Sequence, residues 1–188
     1  MMDALAAGVA VLERSISYAL GSLAVVTPPL LIRPTPCPRW DLRDLLHHFS
    51  DSMAALQEAA ECGEIYLSPL PDADAVIAET RDRAVQLLGA WTNGPCAPTV
   101  RVAAAPVTAP VIAGAGAIEI TVHGWDVAQA CGSPRPIPED LADELLDLAV
   151  LLIRPPDRPG RFARAFPAAP DAGAADRLLA FLGRKVPV

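Results

Sequence analysis

Apolar residues recur along this chain at spacings of three and four rather than two, the mark of amphipathic helices. Leu5, Val9, Leu12, Ile16, Leu20 and Leu23 define a first helix over about residues 2–26, stopped by Pro28-Pro29. Five prolines between residues 27 and 39 make the next stretch an irregular connector. Asp41 can cap a second helix over about 41–60, whose stripe of Leu42, Leu45, Leu46, Phe49, Met53 and Leu56 runs toward Gly63. A third helix is predicted over about 72–91, with Val76, Ile77, Ala84, Leu87 and Leu88 inward and Asn93-Gly94-Pro95 at its end. Thr99 to Ala109 reads as a loop in which residues 99–102 could form a short strand, since Pro106 and Pro110 forbid a long one. A fourth helix over about 111–130 stops at Gly132, a fifth over about 138–153 opens on Pro138, and a short closing helix covers about 171–182. Four long helices with mid-length connections predict an all-α four-helix bundle, in one domain of residues 1–188.

Composition agrees with helices. Aromatic residues are 5% of the chain, and alanine supplies much of the 52% hydrophobic fraction, which suits close helix packing better than a β-sandwich. The net charge of −7 argues against nucleic acid as the partner, because phosphate binding needs a basic surface. The uncharged run from Ser15 to Ile32 holds Ser17, Ser22 and Pro28-Pro29, so it reads as a buried helix and its exit, and no membrane is expected as a partner. Without a basic region ahead of an apolar core at the N-terminus, a cytoplasmic protein is expected. Cys37, Cys62, Cys96 and Cys131 form no CxxC pair, which disfavours a thiolate zinc site or a redox pair and leaves them as thiols packed like small hydrophobes.

The fourth predicted helix breaks its apolar run with Glu119, His123 and Asp126. At ~100° per residue these three fall within roughly 60° of one another, on an edge shared with Ile112, Ala115, Val122 and Ala130 that reads as buried. Burying a carboxylate and an imidazole without a partner is costly. Glu119 and His123 are one helical turn apart and can share one ion, with a third ligand from elsewhere. His48 lies on the flank of the second helix's stripe, roughly 110° from its centre, whereas His47 lies roughly 150° away, so His48 is the choice. Two imidazoles and a carboxylate with the fourth position open are the ligand set of a catalytic divalent metal, zinc first, with nickel, iron or manganese also fitting. Asp126 can accept the second ring N–H of a ligating histidine. The same spacing equally suits an i,i+4 ion pair of Glu119 with His123 and a surface His48, so the residues alone leave both readings open. Trp40 and Trp125 read as core anchors, and Cys37, between Pro36 and Pro38, as a structural thiol.

The segments Thr35-Pro-Cys-Pro-Arg-Trp40, Arg43-Asp-Leu-Leu-His-His48 and Glu119-Ile-Thr-Val-His-Gly-Trp-Asp126 together resemble actinobacterial proteins related to the N-terminal domain of mycothiol-dependent maleylpyruvate isomerase, in the DinB/YfiT-like superfamily. The resemblance extends to Asp176-Arg-Leu-Leu-Ala-Phe-Leu-Gly-Arg184, similar to the closing helix of that group. It implies a DinB/YfiT-like four-helix bundle holding a divalent metal through His48, Glu119 and His123, with the open position taking a low-molecular-weight thiol such as mycothiol or bacillithiol. Two departures stand out. The isomerase carries a further C-terminal domain for which this chain leaves no room, so its own reaction is not carried over, and His47 stands where the group is expected to have a small residue.

These readings lead to a metal-dependent thiol transferase, or an isomerase-like enzyme, whose partners are a small-molecule thiol and an electrophile. The alternatives are a non-catalytic metal- or small-ligand-binding module acting through a homodimer of the bundle, and a structural helical protein without a metal.

Overall fold

The computed structural model describes residues 2–66, 75–93, 97–103, 105–158 and 162–185. Among them the helices are α1 (Met2–Leu23), α2 (Leu42–Cys62), α3 (Val76–Asn93), α4 (Ala109–Ala130), α5 (Glu139–Leu152) and α6 (Ala174–Phe181). The expected start of the third helix at Asp72 and its Gly94-Pro95 stop lie outside the described residues. The chain divides into two compact units, Met1–Arg135 and Pro136–Val188.

In the first unit the main helix contacts run α1 to α4, α4 to α2, α2 to α3 and α3 back to α1, closing a four-helix ring. Directions follow from individual contacts. Gly8 abuts Pro110 and Ala113 while Gly124 abuts Tyr18 and Ala19, so α1 and α4 run parallel. Leu56 packs on Gly116 and His48 meets Glu119, which makes α2 antiparallel to α4. Thr80 lies beside Leu46, and Trp91 Nε1 donates to Leu56 O at 3.0 Å, so α2 and α3 are parallel. The bundle is therefore up-down-down-up, and the all-α class expected from the apolar spacing is the one observed.

The helix ends follow their local chemistry. Helix α1 stops at Leu23, short of the expected Val26, and the fork of Arg81 on α3 satisfies the carbonyls there: Nε and Nη2 donate to Leu23 O at 3.1 and 2.8 Å, and Nη2 to Val26 O at 3.0 Å. This helix holds a stretch, Ala4–Leu23, long and apolar enough to cross a membrane by length and composition. Leu12, Ile16, Ala19 and Leu23 are nonetheless buried within the bundle. Asp41 caps α2 as expected, in a capping box with Asp44, and Gly63 ends that helix at φ 66°. The inward stripe of α3 is Val76, Thr80, Ala84, Leu87 and Trp91, with the expected Ile77 and Leu88 at its margin.

Thr99 to Ala109, expected to be a loop with a possible strand, forms two. Strand β2 (Thr99–Val102) pairs antiparallel with β3 (Ala105–Thr108) and parallel with the two-residue β1 (Glu64–Ile65). Pro106 is tolerated because β3 is an edge strand. β3 leads directly into α4.

Helix α4 is the axis of the unit. Only Val111 and Ala115 are exposed along it, so it is apolar nearly all round, as a central helix must be. Ala115, expected among the buried neighbours of the polar cluster, instead faces water, and the Ala115–Glu119 edge is where the cluster opens to solvent. In the second unit α5 packs on α6. Helix α6 begins at Ala174 rather than about 171, where Glu139 accepts the Ala174 N–H at 2.6 Å.

Candidate functional site

The polar cluster sits where α2 crosses α4, beneath the connector between α1 and α2. Glu119 Oε1 is its hub. His48 Nε2 stands 2.9 Å from it, His123 Nε2 3.2 Å, and Ser52 Oγ donates to it at 2.9 Å. His48 and Ser52 are one turn apart on α2, Glu119 and His123 one turn apart on α4, so two i,i+4 pairs face each other across the interface. The donor atoms of His48, Glu119 and His123 all lie within 4.8 Å of one another. His47 belongs to no such cluster among the described residues.

Burial is graded across the site. The side chains of His48 and Glu119 are 38% and 30% exposed, and that of His123 is 7% exposed. Behind His123, Asp126 is fully buried, with Oδ2 3.0 Å from His123 Nδ1. This is the pairing the spacing allowed, and it leaves Nε2 as the histidine atom turned toward Glu119. Cys37 Sγ donates to the same Asp126 oxygen at 3.3 Å and lies 4.0 Å from His123 Nδ1.

Charge and burial oppose each other here. Burial works to raise the Glu119 pKa, yet the charge of His123 and hydrogen bonds from His123 and His48 bring it well below the ordinary carboxylate value. For His123 burial works downward, and the Glu119 charge with hydrogen bonds to Asp126, Cys37 and Glu119 carries it well above the usual imidazole value. Both shifts favour a carboxylate on Glu119 beside an imidazolium on His123.

The connector shapes the wall of the site. Pro34 and Asp41 pair in an isolated bridge, Trp40 N donates to Cys37 O at 3.2 Å, and Thr35 Oγ1 accepts from Cys37 N at 3.1 Å. Arg39 takes φ 74°, a left-handed backbone costing a non-glycine residue about 1 kcal/mol, so the turn is held by its surroundings. Trp40, expected to be a core anchor, is only half-buried, with its ring centroid 4.8 Å from that of His48 and 6.4 Å from that of His123. Trp125, by contrast, is a core residue at 3% exposure.

Cys37 is buried, as expected of a structural thiol, but sequence reasoning missed Ser52 and the contact of Cys37 with Asp126. Ser52 had a signal, its i+4 spacing from His48. Cys37 had none, for 86 residues separate it from His123. A cleft of about 150 Å³, lined by Gly21, Ser22, Ala128 and Arg135 among others, shares no residue with the cluster. Converging donor atoms, rather than a hollow, distinguish the site.

The family described as the mycothiol maleylpyruvate isomerase N-terminal domain matches residues 12–128, a span that runs from Leu12 in α1 to Ala128 in α4 and holds all the residues of the cluster. Two proteins from two strains of Mycobacterium tuberculosis, both described as uncharacterized, are each 30% identical over 167 residues, covering 87% of this chain and 90% of theirs. No solved structure matches the chain significantly. Since the matched span includes both the bundle and its cluster, the chain belongs to the mycothiol maleylpyruvate isomerase N-terminal domain family.

Proposed function

We propose that His48, Glu119 and His123 hold a divalent metal ion, zinc before nickel, iron or manganese, and that the protein is a thiol transferase acting on a small electrophile. The observation that carries this reading is the convergence of two imidazole Nε2 atoms on one carboxylate oxygen, at 2.9 and 3.2 Å, from two facing helices at a part-exposed position. Two nitrogens and one oxygen suit zinc with an open fourth position. A divalent ion so held supplies a Lewis acid that favours the deprotonated form of a coordinating thiol at neutral pH.

The chain's own residues do the rest. Glu119 contributes the negative charge that offsets the cation, and Ser52 orients its carboxylate through the 2.9 Å hydrogen bond. Asp126 accepts a hydrogen bond from the Nδ1–H of His123 and so keeps the Nε2 lone pair on the side of Glu119. Trp40 offers an apolar wall beside His48, suited to the carbon skeleton of a thiol or its electrophile. The family description favours mycothiol as the thiol.

Metal content of zinc-incubated wild type, His47→Ala, His48→Ala and His123→Ala tests the centre. About one equivalent is expected in wild type and His47→Ala, and a loss in the other two. Zinc-loaded wild type is then given mycothiol and a panel of small electrophiles, with thiol consumption as the readout. Binding without turnover would favour a ligand-binding module instead, and no metal in wild type would return Glu119 and His123 to an ion pair.

A further inference from the structure

The proposed function leaves a buried thiol unused. Cys37 is 8% exposed and lies on the connector, yet its Sγ donates to Asp126 Oδ2 at 3.3 Å, the oxygen that also stands 3.0 Å from His123 Nδ1. Two donors thus converge on one oxygen of a fully buried carboxylate. A thiol is a weak donor, but away from water an S–H aimed at an anionic oxygen helps select one carboxylate orientation over others. The turn around Cys37 is built for such a task. Thr35 Oγ1 accepts the Cys37 N–H at 3.1 Å, Trp40 N–H reaches Cys37 O at 3.2 Å, and Arg39 is kept at φ 74°. These contacts fix the backbone from which the Cys37 side chain reaches Asp126.

We propose that Cys37 is a positioning residue for the metal centre: its S–H fixes Asp126 against His123 Nδ1, which in turn keeps His123 Nε2 pointed at Glu119 and His48. This rests on the metal-binding reading above. In this role Cys37 acts through Asp126, on the Nδ1 side of the ring, and not on the ligand atoms themselves. The rival chemistry is direct ligation, since Cys37, His123 and Asp126 also lie close enough to share an ion.

Zinc affinity measured by competition with a chromophoric chelator separates these. Cys37→Ala and Asp126→Asn are each expected to weaken binding ~10-fold or more, the usual effect of losing a partner of a ligating histidine. Cys37→Ser keeps a donor at the same place and should bind like wild type, a rescue that mere packing would not produce. The Cys37→Ala/Asp126→Asn double variant should be no weaker than Asp126→Asn. The cobalt-substituted protein should show no thiolate-to-metal charge-transfer band. Wild-type affinity in Cys37→Ala, a serine variant as weak as the alanine one, or a thiolate band would each overturn the proposal. If wild type binds no metal, the metal reading fails by itself and crystal structures of the metal-free proteins decide the role of Cys37. Asp126 swinging away from His123 in Cys37→Ala but staying in place in Cys37→Ser supports that role, and an unchanged Asp126–His123 hydrogen bond in Cys37→Ala overturns it.

Discussion

His48 Nε2 lies 2.9 Å from Glu119 Oε1, across the α2–α4 interface and 71 residues away in sequence. The relationship joins two helices through one oxygen that also receives His123 and Ser52, so the cluster is part of how the bundle is held.

A ligand that binds only the folded state raises stability in proportion to the logarithm of its free concentration above Kd. Zinc-loaded wild type should therefore melt higher than chelator-treated wild type, by about 2.7 kcal/mol of added stability at a free zinc concentration of 100 times Kd. Glu119→Gln, which removes the charged ligand while keeping the shape, should show no such gap by thermal melting. An equal gap in the variant would mean that zinc acts elsewhere.

The metal-free protein should have a pH signature of the Glu119–His123 pair. The lowered Glu119 pKa contributes stability present above about pH 4.5 and lost as pH falls through its folded value. The raised His123 pKa contributes stability fully present below about pH 6.5 and lost as pH rises through its folded value. The pair is thus strongest between these limits. Denaturation of wild type and His123→Gln across pH should give a stability difference that is largest in that window and shrinks on both sides, and a difference independent of pH would refute the coupling.

Two α4 glycines should differ in a way that distance alone would misjudge. A Cβ on Gly116 would fall 2.6 Å from Leu56 Cδ2, the end of a side chain that can turn, whereas one on Gly124 would fall 3.1 Å from Ala19 Cα, which is backbone. Gly→Ala in a helix gains about 1 kcal/mol of propensity. For Gly116→Ala that gain should offset most of the crowding. Gly124→Ala must push α1 and α4 apart and should lose about 1–3 kcal/mol before the gain is counted. Urea midpoints would show Gly124→Ala as the less stable, and the reverse order would mean that the Leu56 side chain is the stiffer obstacle.

Arg81→Ala should destabilise the bundle by about 1–3 kcal/mol, since the carbonyls of Leu23 and Val26 lose a forked donor at the end of α1. Arg81→Lys should restore only part, because a single ammonium cannot span the same carbonyls with the same geometry. Thermal melts that leave both variants at wild-type stability would show that water replaces the fork without cost.

Much of the helical content was legible in the sequence because helices form from local spacing and caps. Leu42 to Leu56, with Asp41 ahead and Gly63 behind, carries its own start, stripe and stop. The pairing of Glu119 with His123 was also legible, because an apolar run interrupted by ionisable residues at helical spacing must answer for them, whereas helix angle alone pointed to His48 and left a surface position for it open. The β2–β3 pairing was only partly visible, since four-residue strands bounded by prolines depend on partners rather than periodicity. On α4 the helical wheel could not tell sides apart, because a helix enclosed on nearly every side has no polar face to mark its outside. Only the tertiary structure decided that Ala115 marks the opening, that Trp40 stands beside His48, and that Cys37 reaches Asp126. Those pairings join residues far apart in the chain, and nothing in local propensity or spacing records which distant turn a buried carboxylate will meet.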